Sequence, residues 1–111
     1  MRFLKDSSSR QLANIAADLA RIQSFLGKEA GEDVLAGLIE ESRFFAEWAA
    51  PAAGAQERLL LRRMMRSLTR WRKLLPLLLQ QAAACRALAG EAGTWSKRML
   101  AVAGLLPRHP V

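Results

Sequence analysis

Residues 58–79 read RLLLRRMMRSLTRWRKLLPLLL, with seven basic side chains set into a stretch otherwise as apolar as a protein core. On a helix advancing about 100° per residue, Arg58, Arg62, Arg63, Arg66, Arg70 and Lys73 fall within an arc of about 140°. Leu60, Leu61, Met64, Leu68, Trp71, Leu74, Leu75, Leu78 and Leu79 share a separate arc of similar width. Arg72 and Met65 lie between the two, and Leu59 and Leu77 interrupt the basic face. A helix of this kind buries one side only when other helices cover it, so the rest of the chain must supply them.

Pro76 falls inside the pattern on its polar side. It removes a backbone donor and clashes with the carbonyl of Arg72, which predicts a kink with the helix continuing to about Leu88. Beyond Gln81 the phase decays, and AAACRALA reads either as a segment packed on more than one side or as a separately oriented one.

Upstream, Leu12, Ile15, Leu19, Ile22 and Leu26 recur at spacings of three and four, with Asn14, Asp18 and Arg21 off the stripe. Ser8 followed by Gln11 fits a capping box, which predicts a first helix from near Ser8 to Gly27. A second helix is expected after Gly31, where Glu32 and Asp33 complement its positive end. Val34, Leu35, Leu38, Ile39, Phe45, Trp48 and Ala49 are expected inside, with Glu40, Arg43 and Glu47 on the wetter side. Ala50 and Pro51 close it, PAAGAQE forms a hinge, and Pro51 is a candidate first residue of the next helix. A last helix is expected from a Thr94 cap, carrying Trp95, Met99, Leu100, Val102 and Leu106 to a stop at Gly104 and Pro107, with the preceding break at Gly90 to Gly93.

Four helices in 111 residues predict one all-α domain over residues 1–111, a small antiparallel bundle. Alanine and leucine dominate the apolar residues, and β-branched residues are few. Trp48, Trp71 and Trp95 fall on or near inward stripes of three helices, which predicts a shared aromatic core including Leu68. Phe44 and Phe45 are adjacent and point in different directions, so one is expected to reach another helix or a partner.

The net charge of +7 is unevenly placed. Residues 1–50 hold eight acids and six bases, and residues 51–111 hold two acids and eleven bases. The acidic second helix and basic third helix are therefore expected to attract each other, within one hairpin or across a two-fold axis. The amphipathic stripes offer more apolar face than one small core absorbs, which predicts a homo-oligomer, a dimer or larger.

The function classes narrow accordingly. His109 is the lone histidine, Cys85 is the lone cysteine, and Glu40 and Glu41 project about 100° apart, so no metal, cofactor or catalytic residue is expected. Cys85 reads as a small buried hydrophobe. GKEAGE lacks the strand context and the Lys-Ser or Lys-Thr pair of a phosphate loop. No apolar run follows the basic start, and no window is long enough to cross a bilayer, so neither a secretory signal nor a transmembrane segment is expected and the location is expected to be cytoplasmic. The sequence therefore predicts a non-enzymatic interaction or adaptor module that uses self-association and a basic helix face, with an acidic protein as partner. Sequence-nonspecific nucleic-acid binding along residues 58–73 is the alternative. It is weakened by the absence of Asn or Gln among the arginines to read bases and of exposed stacking aromatics on that face.

Overall fold

The computed structural model describes the backbone of residues 2–26, 28 and 31–104, and side chains from Ser9 onward within them. Gly27, Leu106, Pro107, His109 and the Ser8 side chain lie outside this description. The described residues form four helices, α1 (Arg2–Leu26), α2 (Glu32–Ala49), α3 (Ala55–Leu78) and α4 (Ala82–Val102), with a short 3₁₀ turn at Ala50–Ala52 between α2 and α3.

The helices form a ring in chain order. Helix α1 packs on α2 and α4, helix α3 packs on the same two, and neither diagonal pair is in backbone contact. Neighbours run antiparallel: the Ser96 hydroxyl donates to the Ala16 carbonyl, while Gly93 faces Gln23. This is the expected all-α bundle. Its core consists of Leu12, Ile15, Leu19 and Ile22 from α1, Leu35 and Ile39 from α2, Leu61, Met64, Leu68, Trp71 and Leu75 from α3, and Leu88, Trp95 and Met99 from α4. The α1–α4 seam is extensive because Ala16, Ala92, Gly93 and Ser96 let the backbones approach. Helix α3 instead inserts large side chains and stands further off.

Several boundaries differ from the sequence reading. Helix α1 begins at Arg2, so Ser8 lies within it and cannot be its cap. Pro51 sits in the 3₁₀ turn, and α3 starts at Ala55, where the Glu57 carboxylate accepts from the Gly54 amide at 2.8 Å.

Helix α3 does not run on to Leu88. After Pro76 the backbone tightens into i→i+3 bonds from Gln80 to Leu77 and from Gln81 to Leu78, and Gln81 turns extended to start α4. The Cys85 thiol, half-buried instead of fully buried, donates to the Leu78 carbonyl across this corner. The decayed phase after Gln81 therefore marks a separately oriented segment.

Conversely, no break occurs at Gly90 to Gly93, which lie inside α4. Gly93 is buried against α1, where a Cβ would meet the flexible end of the Gln23 side chain, with Nε2 at 2.5 Å. Thr94 does not cap a helix; its hydroxyl bonds back to the Gly90 carbonyl at 3.0 Å.

The inward face of α2 is also rotated from expectation. Leu35, Ile39, Ser42, Ala46 and Ala49 are buried, while Val34 and Trp48 are exposed. Small Ser42 and Ala46 admit the neighbouring helices, and the larger side chains beside them are displaced outward. The aromatic core therefore contains Trp71 and Trp95 but not Trp48. Leu74, expected inside, is 37 % exposed.

Candidate interaction faces on α2 and α3

The polar arc of α3 faces solvent. Arg58, Arg62, Arg63, Arg66, Arg70, Arg72 and Lys73 are all exposed, opposite the buried row Leu61, Met64, Leu68, Trp71 and Leu75. Arg62, Arg66, Arg70 and Lys73 rim an open concavity of about 450 Å³ that also includes Met65 and Thr69. Their aliphatic stems cover its walls and leave the charged ends in water.

Among the described residues, two of these cations have partners. Arg70 Nη2 donates to Glu91 Oε2 on α4 at 2.7 Å, and Arg58 Nε donates to the Ala53 carbonyl at 3.2 Å. Glu91 Oε2 also accepts from the Trp71 indole at 3.0 Å, so one carboxylate holds an exposed cation and a buried ring. Sequence reasoning passed over Glu91, whose partners lie twenty and twenty-one residues away on another helix.

The expected ion pairing between α2 and α3 is not formed within the chain. Among the described residues the ion pairs are Arg21–Asp18, Arg43–Glu40 and Arg70–Glu91. The first two join residues of one helix and the third joins α3 to α4. Glu47 lines a groove with Arg58, Arg62, Leu61 and Met65, without forming an ion pair to either arginine.

Helix α2 presents a second outward face. Phe44 and Trp48 are 56 % and 57 % exposed, with ring centroids 5.6 Å apart in edge-to-face contact. Phe45 turns the other way and packs partly against the core, so the expected division between the two phenylalanines is present. Trp95 is buried, with the Arg98 guanidinium 5.0 Å from its ring centroid.

A buried polar group completes the picture. Asp18, expected on the wet side of α1, is 1 % exposed. One of its oxygens accepts from Arg21 Nη1 at 2.8 Å, and the other has no hydrogen-bond partner. Burial above all, then the nearby carboxyl group of Glu41, push the Asp18 carboxyl from 3.8 to about 7, against the opposing pull of Arg21. The signal was legible: Gln11, Ile15, Asp18 and Ile22 share the spacing of the buried stripe.

No helix among the described residues is long and apolar enough to cross a membrane. No family model, curated protein or solved structure matches this chain.

Proposed function

We propose that the chain is a non-enzymatic helical interaction module that self-associates and offers the basic face of α3 to acidic protein surfaces. One observation carries this reading. The six large hydrophobic side chains left exposed among the described residues, Val34, Phe44, Trp48, Leu59, Leu74 and Leu77, all lie on α2 and α3. These are also the helices whose outward faces carry concentrated charge. A surface combining exposed aromatics and leucines with exposed arginines has the composition of a protein interface, where aromatic residues and arginine are enriched.

Nucleic-acid binding is the second reading, favoured by the concavity of Arg62, Arg66, Arg70 and Lys73, whose lining is free of Glu40, Glu41 and Glu47. The basic stretch, however, offers no Asn or Gln for base edges, and Trp71 is buried and unable to stack on bases. Fluorescence anisotropy with generic DNA and RNA at about 0.15 M salt separates the two. Phosphate binding there would be strongly salt-dependent, at a slope of roughly 0.7–0.9 per contact. The proposal expects no binding under those conditions and a dimer or larger species in sedimentation. A monomer that binds either nucleic acid reverses it.

A further inference from the structure

We infer that the outward stripe of α2 on one copy docks against the outward stripe of α3 on another, so that the chain associates through two different complementary surfaces. This inference rests on the self-association proposed above and specifies its contact.

On α2, Val34, Gly37, Glu41, Phe44 and Trp48 are all exposed and follow one another at spacings of three, four, three and four. On α3, Leu59, Arg63, Arg66, Arg70, Lys73 and Leu77 are all exposed at spacings of four, three, four, three and four. Both are unbroken seams of the 3.5-residue repeat by which one helix lies along another. At 1.5 Å per residue they are about 21 and about 27 Å long, a workable match.

Charge selects the pairing. The α2 stripe itself holds one acid, Glu41, and Glu32, Asp33, Glu40 and Glu47 lie elsewhere on that helix against the single base Arg43. Helix α3 carries seven bases against the single acid Glu57. Laying α2 on α2 or α3 on α3 would oppose like charges, whereas laying α2 on α3 opposes unlike ones. Chemistry agrees at the level of side chains. Arginines on α3 can meet the Phe44 and Trp48 ring faces as Arg98 meets Trp95 within the chain, and Glu41 supplies a central carboxylate. Leu59 and Leu77 bracket the basic stretch with apolar contact, and Gly37, with nothing within 4 Å of a Cβ position, leaves room for a long side chain. Because a single contact leaves the α3 stripe of one copy and the α2 stripe of the other unused, the assembly closes as a ring or grows as a filament.

The test mixes two half-defective proteins, Phe44→Ala with Trp48→Ala, and Arg66→Glu with Lys73→Glu. These four side chains are exposed and outside the ion pairs of the bundle, and circular dichroism verifies that each variant stays helical. In sedimentation velocity the wild type is expected to associate. Each variant alone should bind itself at least about tenfold more weakly, and an equimolar mixture should form a one-to-one complex through the intact stripe on each. A mixture that stays monomeric, or a variant that associates like the wild type, overturns the α2-to-α3 contact while leaving self-association standing. A monomeric wild type removes both. The wild type supplies a check that uses no variant: raising salt from about 0.05 to about 0.5 M should weaken association, and salt-independent or salt-strengthened association overturns the contact.

Discussion

The indole nitrogen of Trp71, on a side chain 1 % exposed, donates at 3.0 Å to the carboxylate of Glu91, which tethers α3 to α4 at the edge of the core. Removing the acceptor leaves a buried donor unpaired. Glu91→Ala is expected to destabilise the fold by about 1–3 kcal/mol. Arg70→Ala removes an exposed ion pair with the same oxygen and is expected to change stability by less than about 1 kcal/mol. Urea unfolding of the two variants checks the order, and equal losses would place the stabilisation in the ion pair instead of the indole bond.

Two glycines of α4 are expected to respond in opposite directions. Gly90 is exposed with nothing within 4 Å of a Cβ position, so Gly90→Ala should raise stability by about 0.5–1 kcal/mol through helix propensity. Gly93 faces Gln23 on α1, so Gly93→Leu should force the helices apart and lose about 1–3 kcal/mol. Thermal unfolding measures both.

These glycines also show what a single sequence conceals. GEAG reads as punctuation because glycine disfavours helices, yet Gly93 lies inside α4, buried against a neighbour seventy residues earlier in the chain. The apolar stripe of α1, the buried row of α3 and the acid-rich start of α2 were legible because each is written in local spacing. The rotation of α2 was not, because Ser42 and Ala46 are buried by where α1 and α3 lie, and no pattern of hydrophobicity favours them over Val34 and Trp48. The basic face was legible in full. What faces it was not, since the pairing of α3 with the acids of α2 is absent within the chain.

Leu68 and Trp71 separate core from surface. Both are within 1 % of complete burial, so Leu68→Ala should destabilise by about 2–5 kcal/mol and Trp71→Ala by about 3–5 kcal/mol. Trp48→Ala, at an exposed site, should alter the stability of the isolated chain by less than about 0.5 kcal/mol. Chemical unfolding at low protein concentration makes the comparison. A large loss at Trp48 would return it to the core.

Asp18 predicts a pH dependence of definite sign. Its folded-state pKa of about 7 lies above the ordinary 3.8, so the folded protein holds a proton that the unfolded chain releases. Stability from this group is therefore fully present below about pH 4 and declines as pH rises toward 7. Asp18→Asn stays uncharged. Its stability relative to the wild type should increase with pH, by up to about 4 kcal/mol between about pH 4 and 8, as read by urea unfolding across that range. A difference that does not vary with pH would show that Asp18 is ionised throughout.

The mass of the unmodified chain in solution tests self-association most directly. Sedimentation equilibrium at about 0.15 M salt and micromolar concentrations is predicted to give a weight-average mass of at least twice the 12.3 kDa of one chain, rising with concentration, the result expected if other copies cover the exposed aromatics of α2 and the basic face of α3. A constant mass of 12.3 kDa across that range would contradict it.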